Sequence, residues 1–395
     1  MRIRRPRYLA FFCDDYPFLD VDELLRGKVE PVTARQLCAF SILREAVVEL
    51  SPEEFDLVLA TPSDDWVEAD DEDLATELAR KGVLVAEDGN EELRRLRERE
   101  ERLADLTWNL ESALSHFVTK WRGVDLREIA GQDGVADLLP PSDDAVRGFV
   151  DRFGPPPPAL RESSTETTIE LPRGTCEGAF YDVLLRRRTT RSFDRETLLP
   201  LAELATVLRF VFGYHGYARL FGEITTLKRT SPSAGGFHPV DAYALLIGVE
   251  GVEPGLYHYN GWSHRLELIE GLAADEAREL ATQFVCGQSY FADAHALFVL
   301  AARFDRAFWK YRNHQKALTA LLMDAAHLSQ TLYLVATELG LGAFVTAAVN
   351  NADIEERLGL DGAGEGVLAV CGCGLPAAEP SPFDPEFTPF TPGSA

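Results

Sequence analysis

The strongest chemical signal in the sequence is a run of arginines in LLRRRTTRSFD, residues 184–194, where four of eleven residues are basic. In an extended backbone, Arg187, Thr189 and Arg191 point to one side and Arg188 points to the other. Arg187 and Arg191 would then lie about 13 Å apart along the strand. That separation suits a long anionic ligand held at two places, because guanidinium groups bind phosphates and ring carbonyls through forked donors. A solvated basic loop is the alternative.

The charge of the whole chain makes these arginines stand out. Its 395 residues include 39 Lys and Arg against 64 Asp and Glu, which gives a net charge of −25. A surface of that sign repels nucleic-acid phosphates and anionic lipids, so neither nucleic acid nor a membrane is expected as a partner. A local pocket for a small anion is compatible with this composition.

A second candidate site is the loop LKRTSPSAGGFHP, residues 227–239. Pro232 restricts the chain, and the small residues from Ser233 to Gly236 would let a flat ligand approach the backbone amides closely. The spacing matches neither the GxxxxGK[ST] phosphate loop nor the GxSxG nucleophile elbow. Taken alone, the loop predicts only turns.

Two shorter motifs could also belong to a site. The segment ELGLGAFVT has Gly340 and Gly342 at the end of a long apolar stretch, which by itself predicts a helix C-cap. The segment FWKYRN has Lys310 beside Tyr311. A buried ammonium has a lowered pKa and stabilises a neighbouring phenolate, so the pair could act as a base. A surface lysine beside a core tyrosine is the alternative.

The N-terminal part is predicted to be mainly helical. Helical spacing of apolar residues predicts a helix over 33–49, a capped helix in 71–89 that Gly82 ends, a short strand at Val83–Val85, and a charged helix over 91–106. This order of predicted elements, in which helices are followed by a further helix and a strand, is similar to that of a winged helix. The acidic character of this part disfavours DNA. Two interpretations remain, a surface that adds a peptide strand along an open edge and a module that only packs against its neighbours.

The C-terminal part mixes strands with one long helix. Continuous apolar runs predict buried strands at 240–249, 295–304 and 365–374. The stretch 316–340 predicts a helix that is apolar almost all round, which requires a central position or a subunit interface. His327 on this helix is equally compatible with a core histidine and with a neighbour of a ligand.

The clearest break along the chain is the Pro-, Ser- and Thr-rich stretch 154–175, with four consecutive prolines. Proline removes backbone donors and stiffens the chain, so this stretch is predicted to be a linker. It would separate an N-terminal helical, winged-helix-like region, 1–153, from a C-terminal domain, 176–395.

Composition and cysteine spacing exclude several other classes. The six cysteines form no CxxC pair and the sequence has no HExxH motif, so neither a metal site nor a disulfide scaffold is predicted. No convincing targeting segment is present, and no run approaches the roughly 20 apolar residues of a membrane span. A cytoplasmic location is therefore expected.

Taken in order, the four motifs resemble the nitroreductase superfamily over residues 178–376, and most closely the SagB-type dehydrogenases that mature ribosomally made peptides, including azoline oxidases. The arginine segment resembles RRSxRxF, and PSAGG resembles the family's glycine-rich flavin loop. MDAAHLSQTLYLVATELGLG resembles the D-x-G-H…Q-N-L-x-L…G-L-G helix. Lys310 and Tyr311 fall where azoline oxidases carry a catalytic Lys-Tyr pair.

The resemblance implies an α+β fold in which helices wrap a mixed sheet, with FMN at a homodimer interface. It implies that Arg187, Thr189 and Arg191 hold the phosphate, ribityl and pyrimidine groups. Residues that would lie along the isoalloxazine or complete the pocket are Pro232, Ser233, Gly235, Gln330, Gly340, Leu341 and Gly342. Lys310 and Tyr311 would be catalytic, and no metal is implied.

The function that follows from the resemblance is FMN-dependent oxidation of a ribosomally made peptide, with azoline-to-azole conversion as the reaction. Tyr311, assisted by Lys310, would remove a proton alpha to a carbonyl, and the flavin would accept the hydride. The expected partners are a precursor peptide, a cyclising enzyme and a second copy of the chain. The alternatives are an NAD(P)H-dependent nitroreductase or alkene reductase, and a non-catalytic peptide-binding scaffold.

Several positions depart from the family pattern. Ala326 stands where the family has Gly, Thr331 replaces Asn, and His238 stands where Tyr is common. No Lys or Arg follows Cys373, although many nitroreductases place a late basic residue on the phosphate. Lys228 or Arg229 is the candidate substitute.

Overall fold

The computed structural model describes residues 1–18, 32–129, 177–220 and 224–379, together with a few residues between 147 and 171 and at 381 and 384. The chain forms two compact units. The first comprises Met1–Lys120, Arg303–Leu321 and Leu360–Gly366; the second comprises Trp121–Ala302, Leu322–Gly359 and Val367–Ala395. Most of the predicted linker 154–175 lies outside the described residues. The domain boundary there stays a prediction.

The described residues form strands and helices along the whole chain. The strands are β1 (Arg2–Arg4), β2 (Leu9–Phe18), β3 (Val32–Ser41), β4 (Ala46–Leu50), β5 (Val67–Glu68), β6 (Val85–Ala86), β7 (Gly216–Leu220), β8 (Ile224–Lys228), β9 (Val240–Leu246), β10 (Gly255–Asn260), β11 (Arg265–Gly271), β12 (Ala296–Arg303), β13 (Gly342–Thr346) and β14 (Glu365–Gly374). The helices are α1 (Pro52–Ala60), α2 (Glu72–Arg80), α3 (Glu91–Asp105), α4 (Leu110–Val118), α5 (Leu126–Ile129), α6 (Ala179–Arg186), α7 (Leu201–Val211), α8 (Ala274–Phe284), α9 (Ser289–Ala292), α10 (Phe304–Lys310), α11 (Ala317–Glu338) and α12 (Asn351–Leu358).

The first unit contains two small sheets, ordered β5-β1-β6 and β2-β3-β4, with α1 to α4. The predicted helix near residue 71 is confirmed as α2, which begins where the Asp71 carboxylate accepts a hydrogen bond from the Leu74 amide at 3.0 Å. The predicted helix over 91–106 is confirmed as α3. Its leucine stripe is buried at Leu93, Leu96 and Leu103, so one face packs while the charged face meets solvent.

The predicted helix over 33–49 is wrong. This stretch forms β3 and β4, joined by a tight turn in which Glu45 has a φ of 52°. Along β4, Val48 and Leu50 are buried while Val47 and Glu49 are exposed. That alternation has a period of two, which together with adjacent β-branched valines favours a half-buried strand over a helix.

The second unit is built on a six-stranded sheet in the order β11-β10-β9-β12-β14-β13. The three predicted buried strands are confirmed as β9, β12 and β14, and every residue of β12 except Arg303 is buried. The long helix is confirmed as α11. Helices therefore accompany a sheet, and the predicted α+β class is confirmed. Within the described ranges, no helix combines the length and the apolar character that crossing a membrane needs.

Candidate functional site

The arginine segment lies on the edge strand of the six-stranded sheet. After α6 ends, the backbone is extended at Arg187, with φ −53° and ψ 125°. The Thr190 amide donates a hydrogen bond to the Ala343 carbonyl of β13 at 2.9 Å, and Phe193 forms an isolated bridge to Pro376. These two attachments fix the segment in register against the sheet.

One side of the extended segment meets α11. The Thr189 hydroxyl lies 3.0 Å from the Tyr333 hydroxyl, and the guanidinium carbon of Arg187 lies 5.3 Å from the centre of the Tyr333 ring. Arg191 donates instead to the Asp384 carboxylate at 3.0 Å. The three predicted flavin residues therefore have different neighbours, and Arg191 is the one whose charge is already balanced.

The other side of the segment faces a cavity of about 340 Å³. Its walls are Arg186, Arg188, Thr190, Thr337, Gly340, Leu341, Gly342 and Pro376. The predicted Gly340–Gly342 turn thus shares a cavity with Arg188 and Thr190. These two residues alternate along the segment with Arg187, Thr189 and Arg191, which the resemblance assigns to the flavin. Arg188 is exposed and has no carboxylate partner among the described residues.

The turn itself explains why glycine is needed there. Gly340 has a φ of 74° and follows α11, while the Leu341 amide donates to the Ala336 carbonyl at 2.8 Å, a six-to-one bond that closes the helix end. A Cβ on Gly342 would lie 2.6 Å from the Thr190 Cγ2 atom. Glycine at 342 therefore lets the arginine segment approach β13 closely.

The PSAGG loop is held to α11 by a buried carboxylate. Asp324 is 5% exposed; one of its oxygens accepts from the Ser233 hydroxyl at 2.5 Å and the other accepts from the Ala234 amide at 3.0 Å. The Ser231 hydroxyl lies 2.6 Å from the Thr331 hydroxyl of the same helix. Thr331, which departs from the family's Asn, is thus a second anchor of this loop.

Beyond the anchor, the loop exposes its backbone. Gly235 and Gly236 have φ values of 66° and 70°, a conformation that side chains disfavour. Pro232 and Gly235 are exposed, and the Gly235 amide has no hydrogen-bond partner among the described residues. The loop therefore offers a flat, small-residue surface with a free donor.

Gln330, the remaining predicted flavin residue, and Arg229, a candidate phosphate ligand, differ in their exposure to solvent. Gln330 is exposed on α11. Arg229 is buried and donates to the Val240 carbonyl at 2.6 Å and to the Tyr214 hydroxyl at 2.9 Å. Because its guanidinium is held by these protein groups, Arg229 is a poor substitute for the late basic residue that the chain lacks. Lys228 is exposed and keeps that role as a prediction.

The Lys310–Tyr311 pair belongs to the first unit, at the end of α10. Phe304 and Phe308 anchor this helix, since each ring centre lies 4.7 Å from the Trp108 ring. The Lys310 ammonium lies 5.3 Å from the centre of the Tyr311 ring. Lys310 is exposed. The side chain of Lys310 is therefore not desolvated in the single chain, and its ammonium makes a cation–π contact with the tyrosine ring.

The cysteines offer no alternative nucleophile in the sheet. Cys371 and Cys373 are fully buried in β14, and burial raises the pKa of the Cys373 thiol to about 12. A thiol with that pKa remains protonated at neutral pH and is inert.

Two residues that the sequence reasoning left without a role are central here. Asp324 anchors the PSAGG loop, and Tyr333 contacts the arginine segment. Asp324 is the one acid between Lys316 and Glu338 in an otherwise apolar helix. A lone charge at such a position requires a partner inside the protein, and that was the available signal. Tyr333 carried no signal, because tyrosine is common in buried helices.

The part of the chain that carries these residues is similar to known proteins. The model of the Nitroreductase family matches residues 184–375. MJ1384 of Methanocaldococcus jannaschii, named as a nitroreductase, is 32% identical over 179 residues, which are 45% of this chain and 82% of that protein. The chain belongs to the nitroreductase family. Its members are oxidoreductases, so this chain is one as well, and the resemblance seen in its motifs is confirmed.

Two further proteins are similar to parts of this chain. The trifolitoxin-processing protein TfxB of Rhizobium leguminosarum bv. trifolii is 32% identical over 176 residues, 43% of this chain and 43% of that protein. A chain in the structure of the E. coli microcin synthetase McbBCD complex with truncated pro-MccB17 is 19% identical, with 69% of this chain and 92% of that chain covered and a TM-score of 0.49.

The residues present fit a flavin mononucleotide. Arg187 supplies a cationic donor without a carboxylate partner among the described residues, and the Ser233–Gly236 loop supplies a surface of small residues with two glycines at positive φ. The buried Nδ1 atom of His327 on α11 also lacks a hydrogen-bond partner among the described residues. Cationic donors, a glycine surface and an unsatisfied buried nitrogen suit a ligand with a phosphate and a polar ring system.

Replacing Asp324 tests how the loop is anchored. The variant Asp324→Ala removes both acceptors of Ser233 and Ala234, and we expect its free energy of unfolding to fall by about 2 kcal/mol or more, because hydrogen bonds to a charged group contribute about 1.5–3 kcal/mol each. Urea denaturation of the full chain measures this. Glu338→Ala, at an exposed position of the same helix, is the control. Equal stability of the two variants would contradict the assigned anchor.

Proposed function

We propose that this protein is an FMN-dependent dehydrogenase that oxidises a ribosomally made peptide, with the conversion of an azoline ring to an azole as its reaction. The observation that carries the flavin part is Arg187, whose guanidinium lies over the Tyr333 ring of α11 and has no carboxylate partner among the described residues, in a chain with a net charge of −25. A half-buried guanidinium with no carboxylate partner suits an anionic ligand, which it can bind through charge-assisted hydrogen bonds.

Each part of the chain has a defined task in this proposal. Arg187 and Thr189 hold the phosphate and ribityl end, and the loop from Pro232 to Gly235 lies along the ring system. Asp324 keeps that loop in position. Bound FMN supplies the hydride acceptor, which no amino-acid side chain can provide.

A pair of arginine variants tests the flavin site and the side of the segment that holds it. We expect Arg187→Ala to weaken FMN binding about tenfold or more, because a charge-assisted hydrogen bond to phosphate is lost. Arg188→Ala, the neighbouring arginine on the cavity side, is the matched control. Titration of the apoprotein with FMN, followed by quenching of flavin fluorescence, measures both.

Two results would contradict the flavin assignment. Equal FMN affinity in the wild type and both arginine variants would remove this segment from the site. Wild-type protein that binds no FMN would remove the cofactor. A loss confined to Arg188→Ala would move the phosphate into the 340 Å³ cavity and overturn the assignment of Arg187.

The peptide part of the proposal is supported by the relative TfxB, which is named for processing trifolitoxin. It is supported also by the position of Lys310 and Tyr311, which matches the Lys-Tyr pair of azoline oxidases. Oxidation of an azoline requires removal of a proton from the carbon alpha to a carbonyl. Tyr311 would take that proton, and the ammonium of Lys310 against its ring would stabilise the phenolate.

Separate variants of this pair test the proton transfer. We expect Lys310→Ala and Tyr311→Phe each to slow peptide dehydrogenation by about 100-fold or more, the range for loss of a general base, with FMN still bound. Mass spectrometry of an azoline-containing peptide follows the loss of two hydrogens, and the flavin spectrum reports cofactor retention. Lys316→Ala, at an exposed lysine of the same unit, is the control. Undiminished dehydrogenation by both variants would remove the pair from the mechanism.

An NAD(P)H-dependent nitroreductase is the second candidate. The observation that favours it is the similarity to MJ1384, which is named as a nitroreductase and is matched over 82% of its length. The two functions differ in the source of electrons. Rapid bleaching of the flavin by NADPH without peptide would favour the reductase, and bleaching by an azoline peptide alone would favour the dehydrogenase.

A homodimer is part of the proposal. The helices α6, α7 and α11 form an apolar face with a cavity of about 350 Å³, and its large side chains are exposed in the single chain, including Phe180 at 64% and Phe210 at 43%. Leu185 beside them is 84% exposed. Apolar surface of this extent is typical of a subunit interface.

The dimer is tested by mass in solution. We expect light scattering to give twice 43.8 kDa for the wild type and 43.8 kDa for Phe180→Asp, because a buried carboxylate without a partner is strongly unfavourable at an interface. Trp262→Asp changes an equally exposed aromatic residue in the turn between β10 and β11 and should remain dimeric. A monomeric wild type would contradict the proposal.

A further inference from the structure

Arg191 differs from Arg187 in having a carboxylate partner. Its guanidinium donates to Asp384 at 3.0 Å, and Asp384 is its one acidic partner among the described residues. The side chain of Asp384 is 9% exposed and that of Arg191 is 29% exposed. Solvent screens a pair of this burial only weakly, so each of the two charges largely cancels the field of the other at any group bound beside them.

The chain beyond β14 brings Asp384 to this position. It first runs beside the arginine segment, where the Ala377 amide donates to the Ser192 carbonyl at 3.0 Å. The Asp384 amide then donates to the Ser381 carbonyl at 2.9 Å, and this bond closes a turn on a residue that is buried. The backbone therefore holds the Asp384 carboxylate against Arg191.

The two ends of the arginine segment therefore differ in charge. Arg187 and Arg191 lie four residues apart, about 13 Å in an extended backbone. Arg187 keeps an unbalanced positive charge, whereas that of Arg191 is balanced. A phosphate group is attracted to the unbalanced guanidinium and repelled by the Asp384 carboxylate. We therefore expect the phosphate of FMN at Arg187 and the ring end of FMN toward Arg191.

The ring end is the part of a flavin whose charge changes on reduction. In the proposed reaction a C–H bond of the peptide breaks, and the hydrogen moves to the flavin with both electrons of that bond. A hydride that joins a neutral ring brings one negative charge with it, which the ring system holds. A positive group beside the ring end stabilises this charge and raises the reduction potential, whereas a balanced ion pair does so much less.

We propose that Asp384 is a positioning residue of the flavin site, which holds Arg191 at the ring end, balances its charge and thereby keeps the reduction potential of bound FMN low. A low potential makes the reduced flavin a stronger reductant. Asp384 acts through Arg191 and does not itself contact the flavin. The inference rests on the proposed function for the presence of FMN, and it is independent of which peptide is oxidised.

The test is the midpoint potential of the FMN-bound full chain, measured by spectroelectrochemical titration. Asp384→Asn keeps the size of the side chain and an oxygen that accepts from Arg191, but it removes the negative charge. We expect this variant to bind reduced FMN, relative to oxidised FMN, about tenfold more tightly than the wild type does. For a two-electron couple that is a rise of about 30 mV. Equal midpoint potentials of the two proteins would overturn the proposal.

Two further variants separate the ion pair from a general change of charge. Arg191→Gln leaves the Asp384 carboxylate unbalanced, so the midpoint potential should fall below that of the wild type. Asp182→Asn is the matched control, because it removes the same charge at an exposed carboxylate that accepts from Arg186 at 2.7 Å. Its potential should equal that of the wild type. A shift in Asp182→Asn as large as that in Asp384→Asn would overturn the proposal. If Asp384→Asn does not fold, Arg191→Gln decides alone, and a potential at or above that of the wild type would overturn it.

The outcomes keep this inference distinct from the proposed function. Equal potentials in proteins that bind FMN and oxidise peptide would remove only the role of Asp384. Opposite shifts in Asp384→Asn and Arg191→Gln, in a protein that binds FMN and oxidises no peptide, would keep that role and remove the peptide dehydrogenase. Wild-type protein that binds no FMN would overturn both.

Discussion

The buried carboxylate of Asp324 is the contact on which the candidate site depends. It accepts hydrogen bonds from the Ser233 hydroxyl and the Ala234 amide, and so ties a loop of small residues to the long helix α11. Without a bonded partner for its peptide groups, such a loop would not be held in one conformation, since glycine loses more conformational entropy than any other residue on ordering. The two hydrogen bonds that Asp324 accepts offset that cost, and the loop can present a flat surface.

The same helix also positions the arginine segment. Tyr333 contacts Thr189 and Arg187 nine residues beyond Asp324, about 13 Å along the helix axis at 1.5 Å per residue. A rigid helix therefore sets the separation between a glycine-rich surface and a cationic one. Carboxylates are abundant in this strongly negative chain, and yet Arg187 and Arg188 have no carboxylate partner among the described residues. The missing partners are what distinguishes these two arginines from the rest of the chain.

The sequence predicted those elements whose pattern has one interpretation. The strands β9, β12 and β14 are continuous apolar runs. The apolar stretch that forms α11 is too long for a strand, so it predicted a helix. The stretch 33–49 failed because its apolar residues fit a helical period, whereas burial follows the alternation of Val47 and Val48 in a hairpin. The family's site residues could be located by motif. Their partners could not, because Asp384 and Tyr333 reach the arginines only through the tertiary fold.

Other features depended on context that no local pattern contains. Alternation predicted that Arg187 and Arg188 point to opposite sides, but which side meets the Gly340–Gly342 turn is set by the bond from Thr190 to β13. A buried Lys310 was one of two interpretations of the sequence, and the side chain is exposed in the single chain. A cavity of about 450 Å³ beside β5 is likewise lined by residues far apart in sequence, from Ile3 to Ala75.

The most direct measurement is a crystal structure of the full chain with FMN bound. We expect the flavin ring system to lie against the loop from Pro232 to Gly235, with Asp324 still bonded to Ser233 and with Arg187 in contact with the phosphate. A flavin bound away from α11, or a phosphate that leaves the guanidinium of Arg187 in solvent, would contradict it.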